Sequence, residues 1–530
     1  MRKNRSNFLR NKNYKPLDVF GMVFTAAPLQ ASVYILLTFV QAVFPAIALP
    51  LATANFVDTV TAVFEKTKPQ GEVYIALAVL LSVLGVMVIT GTVAELFISR
   101  VRIKLELVLT PEMADTHAAL SYKHIENAES LELIQRVTSG PVNSLTDGFT
   151  SYLDAARVIA SSVSLMGLII TQAWWAAVLI CVFSVPMFWL SLRAGKKNYS
   201  AKRDAEKYNR RTWYLDSVMT SREYAEERTL FGYADNLVNS YQDQYEKGRR
   251  TQMGVQFKTL LTRNGSGFIL AAVGLFAALA LLRSVTANQI SAGMYIGIVG
   301  AVFSMIEELS WRSAVSVEGI SRFAEYLKDL SSFAALSGGA EILSKPDENA
   351  PKFETLELKN VRFKYPGADE YVLDGLSFKI SGGRHSAFVG VNGAGKTTVT
   401  KLLTGLYTEY EGEILINGKE LNEYKPGEVK AMFSVVYQDF ARYQISLEDN
   451  IALGDISGQK TDERILEAAR KAGLDEIIGE LKLGIKTPLG KIKENGQDLS
   501  GGQWQKIAFA RSLLSRAPVK ILDEPTAAIV

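Results

Sequence analysis

The sequence predicts an all-α membrane unit of six helices followed by an α/β P-loop domain, and three observations carry that reading. Long uncharged apolar stretches are confined to the first 306 residues. From Pro351 onward charged and apolar residues alternate as in a water-facing α/β domain. Within this second half Gly390 to Thr397 reads GVNGAGKT, a glycine-rich loop between a strand pattern and a helix pattern. At 530 residues the chain is also too long for one ordinary core, so two or more domains follow from length.

Charge is absent from 28–57, 73–94, 158–192, 264–282 and 284–306. A helix crossing a bilayer needs about 20 apolar residues. The stretch 158–192 is too long for one crossing, and the polar pair Thr171-Gln172 is expected to divide it. The six expected helices are therefore 28–56, 73–98, 152–170, 173–193, 265–282 and 288–306. Ala52-Thr53-Ala54 resembles a leader cleavage pattern, but the apolar run before it is too long and begins too late, so the first helix is expected to be retained.

Orientation follows from the basic residues, which collect on cytoplasmic flanks. Six lie between Arg2 and Lys15 and eight between Arg193 and Arg211, whereas the segments after helices 1, 3 and 5 hold only Lys66, Lys68 and Arg283. Both ends of the helical unit are thus expected on the cytoplasmic side of the cell membrane. The two long connections, 100–151 and 193–263, carry helical patterning and are far too long for turns. Glu95 reads either as a functional acid inside the membrane or, if helix 2 runs past the bilayer, as part of the cytoplasmic extension, the reading preferred, and Glu307 and Glu308 end helix 6 in the same way. Cys181, the single cysteine, excludes an internal disulfide and a zinc site and reads as a small packing residue. The formal charge of +3, with no aromatic-interleaved basic stripe, does not suggest nucleic acid as a partner.

The transmembrane domain is placed at 1–336, a Gly/Pro-rich linker at 337–352 and the α/β domain at 353–530. Strands are expected at 353–358, 361–365, 373–380 and 386–389, and a helix at 397–403. In the loop, Gly390, Gly393 and Gly395 spare the backbone bulky Cβ atoms, so that N–H groups from Asn392 through Ala394 to Thr397 can face a phosphate. The helix that follows presents its N-terminus to the same charge. Lys396 supplies a point charge to the β and γ phosphates of ATP, and the Thr397 hydroxyl suits Mg2+. Further on, 521–525 reads ILDEP, an apolar strand delivering Asp523 for Mg2+ and Glu524 to orient or deprotonate an attacking water. Lys520 interrupts the apolar character of that strand.

GVNGAGKT, LSGGQ at 499–503 and ILDEP, in this order behind six apolar helices, resemble the ATP-binding cassette (ABC) family, specifically an exporter-type half-transporter. The resemblance implies further roles. Tyr365, in FKYP, would stack on adenine; Thr398 would donate to the α phosphate; Gln438, in YQDF, would meet Mg2+ and sense the membrane loops. Ser500, Gly501, Gly502 and Gln503 would bind the γ phosphate held by a second cassette, so the working unit would be a homo- or heterodimer. Segments 121–137 and 222–233 resemble intracellular coupling loops, with contacts to the ATPase domain expected near His124 to Glu129 and Ala225 to Leu230. Glu494 falls where exporters carry a segment that meets those loops.

The family would also supply a switch histidine and a D-loop aspartate. His117, His124 and His385 all precede the glycine loop, and Val530 stands at the aspartate position. The resemblance implies two further strands, one of them central and carrying the switch histidine; without these last strands, as in a truncated form, their neighbours would be unpaired, so a frayed ATPase core is expected. Two functions remain open: ATP-driven export of a cargo the sequence does not name, and an ATP-binding subunit or regulatory membrane protein that does not hydrolyse.

Overall fold

A computed structural model describes residues 9, 13–221, 224–287, 289–336, 343–456, 461–491 and 495–524. Helices come first: α1 (Asp18–Ala26), α2 (Pro28–Phe64), α3 (Gly71–Ala118), α4 (Tyr122–Glu126), α5 (Ala128–Thr138), α6 (Pro141–Thr220), α7 (Ala225–Phe231), α8 (Ala234–Thr286), α9 (Ala292–Glu307) and, after a π-helical turn Glu308–Arg312, α10 (Ser313–Ala335). The rest comprises β1 (Thr355–Phe363), β2 (Leu373–Ser381), α11 (Lys396–Leu403), β3 (Glu411–Ile416), β4 (Lys419–Glu420), α12 (Pro426–Met432), β5 (Phe433–Val436), α13 (Leu447–Ala452), α14 (Asp462–Lys471), α15 (Asp475–Glu480), α16 (Gly501–Leu514) and β6 (Val519–Leu522). Two compact units result, 1–114 with 133–335 and 115–132 with 336–530.

In the helical unit α2, α3 and the 141–171 part of α6 are long and apolar enough to cross a membrane, and 274–286 and α9 are shorter apolar helices. The core joins Leu165 and Ile169 of α6, Leu281 of α8, Ala46 of α2, and Ile298, Val302 and Met305 of α9. Small residues allow the closest approaches: a Cβ on Gly297 of α9 would meet the Pro50 carbonyl of α2 at 2.6 Å. Asp58 of α2 then accepts from the Gly293 N–H at 2.7 Å and from Ser291 Oγ, binding the first turn of α9. By contrast the apolar window of α3 is only 6% buried.

The helix boundary expected at Thr171-Gln172 is absent, and the runs 152–170 and 173–193 belong to one continuous helix, α6. A polar pair need not break a helix. Thr171 returns its hydroxyl to the Leu168 carbonyl at 2.7 Å, and glutamine is a good helix former. The Cys181 side chain lies outside the described residues. Glu95 is exposed on α3; Glu307 ends α9, while Glu308 is buried rather than open to water.

The second unit holds an antiparallel sheet in the order β2-β1-β3-β4 and a parallel pair β5-β6. Segments 353–358 and 361–365, expected as two strands, are largely one strand, β1, interrupted by a register shift between Leu358 and Val361. Asn360 takes a positive φ there, and the irregularity lets Leu356, Leu358, Val361 and Phe363 all face the core. The expected strand 386–389 is not formed. Residues 384–391 are irregular and exposed, with Val389 95% accessible, and among the described residues no strand pairs with them. A β conformation is held by its ladder partners, and without them the apolar segment stays open. A third cluster packs Leu447 and Ile451 of α13, Ile465 and Ala469 of α14, and Trp504 and Ile507 of α16.

Candidate nucleotide site

The glycine loop forms although the strand before it does not. Gly393 and Gly395 both take φ +84°, a left-handed conformation that glycine adopts at no steric cost. At Gly395 a side chain is excluded twice, since a Cβ would also meet Leu373 Cδ2 at 2.6 Å. The turn feeds directly into α11, whose first residues are Lys396, Thr397 and Thr398. Lys396 Nζ donates to the Gly390 and Val391 carbonyls at 2.8 and 3.0 Å, curling its ammonium back over the loop.

Three further hydrogen bonds draw distant sequence positions onto this loop. Thr397 Oγ1 donates to Asp523 Oδ2 at 2.8 Å across 126 residues. Gln438 Nε2 donates to Glu524 Oε2 at 2.6 Å. The hydroxyls of Tyr365 and Thr398 meet at 3.0 Å. The strand β6 delivers the carboxylates because its pairing with β5 continues through the Asp523 N–H to the Val436 carbonyl, at 2.9 Å. Glu524 has φ +49°, unusual for a non-glycine residue and typical of strained functional positions.

Lys520, which looked out of place in an apolar strand, donates to the Ser512 and Ser515 carbonyls at 2.6 Å each. Its charge thus caps the C-terminal end of α16, where a cation is favoured, and burial pushes its ammonium below the usual lysine range. At the other end of α16, Ser500 and Gln503 form a reciprocal capping box, at 3.3 Å (Gln503 N–H to Ser500 Oγ) and 2.9 Å (Ser500 N–H to Gln503 Oε1). A Cβ on Gly501 would meet nothing, so the start of α16 is an open surface rather than part of the loop cluster. Glu494 and Pro525 to Val530 lie outside the described residues.

The donor set fits a nucleotide with Mg2+. Thr397 and Asp523 bring hard oxygen atoms within hydrogen-bond distance of one another, and the next residue, Glu524, accepts from the amide of Gln438. Among the described residues no group of three or more His, Cys, Asp or Glu gathers. That suits an ion held by a carboxylate, a hydroxyl, waters and phosphate oxygens rather than by a protein cage.

The helix α4 docks beside this site within the second unit. Glu126 accepts from Lys401 Nζ of α11 at 2.8 Å and from the Tyr407 hydroxyl, and Lys123 pairs with Glu409 at 2.6 Å. Lys401 also lies 5.2 Å from the ring centroids of both Tyr122 and Tyr365. Tyr365 packs edge-on against Phe363 and Tyr407. The contacts expected from His124 to Glu129 therefore include Glu126 and extend back to Tyr122. Lys401, Tyr407 and Glu409 had no signal in the sequence, because nothing local distinguishes them from solvent-facing or packing residues. On α7, Leu230 and Phe231 are exposed.

Comparison with known proteins agrees with this geometry. The family profile described as "ABC transporter" matches residues 373–527. The chain is 26% identical over 467 residues to the subtilin transport ATP-binding protein SpaT of Bacillus subtilis, covering 86% of this chain and 75% of that one. It is 30% identical over 459 residues to an ATP-dependent lipid A-core flippase of Aromatoleum aromaticum, covering 83% and 71%. Among solved structures, a bacterial Atm1-family ABC exporter with ATP bound superposes with a TM-score of 0.73 at 20% identity, covering 96% and 86% of the two chains, which shows the shared fold. The chain belongs to the ABC transporter family as an exporter-type half-transporter, a multi-pass membrane protein with an ATPase domain that drives export across the membrane.

Proposed function

We propose that the ATPase cycle runs on Mg2+-bound ATP held by the 390–398 loop, with Glu524 as the group that prepares water for attack. The single observation that carries this reading is the convergence of Thr397, Asp523, Gln438 and Glu524 through two short hydrogen bonds. Lys396 would leave the Gly390 and Val391 carbonyls for the β and γ phosphate oxygens, a charge-assisted exchange. Thr398 would release Tyr365 to take an α phosphate oxygen, freeing the phenol as the ring meets adenine. Mg2+, when bound, supplies charge neutralisation of the phosphates through Thr397, Asp523 and Gln438.

Ser500 and the exposed start of α16 support a second proposal: the γ phosphate is completed by another copy or a related chain, and two half-transporters work as a pair. The largely unburied apolar face of α3 is compatible with contacts from a partner helix or from lipid. The basic flanks favour both ends of the helical unit in the cytoplasm, an arrangement that needs an even number of crossings and hence a return of the chain within 141–220 that an unbroken α6 does not make. The relatives are named for different cargoes, subtilin and lipid A-core, so no cargo is carried over to this chain.

One observation favours a second reading, binding without turnover: the segment leading into the glycine loop has no ladder partner among the described residues. Nucleotide binding and ATPase activity of the purified chain, beside Lys396→Ala and Glu524→Gln, separate the two. The proposal expects turnover in the parent, binding without turnover in Glu524→Gln, and binding weakened on the order of 100-fold in Lys396→Ala, which loses about 3 kcal/mol of charge-assisted bonding. Equal inactivity of all three chains, with nucleotide still bound by the parent, would select the second reading.

A further inference from the structure

Glu308 is a buried acidic residue, 9% exposed, and it occupies the first position of the π-helical turn that joins α9 to α10. Its Oε2 is closed to solvent and has no hydrogen-bond partner. The other oxygen is 3.4 Å from Arg312 Nε, and Arg312 is shared with Glu307 at 3.6 Å. Across the interface α6 contributes Asp154 and Arg157, which act on Glu308 with opposite signs. From α8, the stretch 274–286 carries one ionisable residue, Arg283, at its far end; on α10 the first acid, Glu318, is taken by Arg322 at 3.5 Å. Three carboxylates thus face two guanidiniums, and one carboxylate oxygen is left bare.

A buried, unpaired carboxylate oxygen is among the least stable arrangements a protein can hold, and a cation is the group that relieves it. The oxygen is shut from solvent and has no hydrogen-bond partner, so its charge is balanced by neither water nor a neighbouring donor. Glu307 and Asp154 act on Glu308 as charges, and among the described residues no three His, Cys, Asp or Glu side chains come together as metal ligands. π-Turns cost backbone regularity and recur at functional positions; here the turn sets Glu308 against α6.

We propose that Glu308 is a monovalent-cation site of the helical unit, taking a proton or a desolvated alkali cation on Oε2 with Asp154 as the neighbouring counter-charge. Both ligands do the same electrostatic work, and their sources are separable. In the proton case the carboxylate gains O–H and the solvent loses one proton; in the alkali case no bond to hydrogen changes.

The test is the thermal unfolding of the full chain in detergent, with sodium exchanged for N-methylglucamine at constant ionic strength, at mildly alkaline and mildly acidic pH. A rise in Tm on adding sodium at alkaline pH identifies the alkali cation. A rise on acidification without sodium identifies the proton, and both together identify competition for one site. Glu308→Gln, which replaces the oxygen by a neutral amide, should lose the whole response, while Glu95→Gln, on the exposed face of α3, should keep it. If Glu308→Gln does not fold, Glu308→Asp serves instead and should show a smaller shift, because its oxygen is withdrawn by one methylene. A Tm indifferent to sodium and to pH in the parent, or a response surviving in Glu308→Gln, would overturn the proposal and leave Oε2 to a buried water.

Discussion

Two neighbouring parts of the second unit are built from similar residues and end differently. In the sheet β2-β1-β3-β4, β1 is laddered on both sides, and its apolar residues are sealed: Leu358 is 1% exposed. In 384–391, an equally apolar segment, Val389 and Val391 stand in solvent and Phe388 is half-exposed, its ring edge-on to Phe378 of β2. Composition does not separate them. The difference is that β1 finds an antiparallel partner at each of its edges, β2 and β3, both of which follow it in the chain, whereas a strand at 386–389 depends on neighbours that the described residues do not provide. A β-strand is a property of a pair, so hydrophobic patterning alone can nominate it but not form it.

That contrast can be attacked from its strong side first. Leu358→Ala should cost about 2–5 kcal/mol, the usual range for a cavity in a closed core, and denaturant unfolding followed by cassette tryptophan Trp504 would measure it. A change near zero would mean that the antiparallel lobe is as loose as the loop segment. Gly395→Ala is expected to cost about 1–3 kcal/mol, because the new Cβ meets a strained φ and the Leu373 side chain together. It would also show that the glycine turn is structured independently of the segment before it.

The docking of α4 gives a smaller, pH-dependent effect. Burial resists ionisation of Glu126, but hydrogen bonds from Lys401 and Tyr407 and the Lys401 charge outweigh it and hold the carboxyl below its ordinary range. A carboxyl lowered in the folded state contributes stability above its unfolded value and loses that contribution as pH falls through the folded one. Protection of α4 amides from hydrogen exchange should therefore fall on acidification below the ordinary carboxylate range, and Glu126→Gln should lack that transition. Its persistence in the variant would assign it to another group. The weakest expected effect is that of Val389→Asp, under about 0.5 kcal/mol, since the residue is already exposed. A cost matching that of Leu358→Ala would show that 384–391 is buried in solution and that the contrast is false.

Much of the site was legible in the sequence because its chemistry is local. GVNGAGKTT, 390–398, places three glycines, a lysine and two threonines within nine residues, and the loop, the positive φ at Gly393 and Gly395 and the start of α11 all follow from that spacing. ILDEP likewise delivers Asp523 and Glu524 at a strand end. The role of Lys520 was not legible, since the carbonyls it caps belong to a helix that ends several residues earlier and only packing turns them toward it. The α6 boundary misled for the opposite reason: Thr171-Gln172 looks polar in one dimension, while its hydroxyl is satisfied within the helix.

By itself the sequence determined which half is apolar enough for a membrane, where the phosphate loop lies and which residues carry oxygen donors and charge, because these depend on composition and on spacings of a few residues. Only the tertiary structure decided that Lys401 and Tyr407 receive Glu126, that Gln438 reaches Glu524, that 384–391 stays unladdered and that Glu308 is enclosed with a bare oxygen. Each of those is a meeting of groups far apart in the chain. Whether a side chain meets a partner, water or nothing is fixed by long-range packing, to which local patterning is blind.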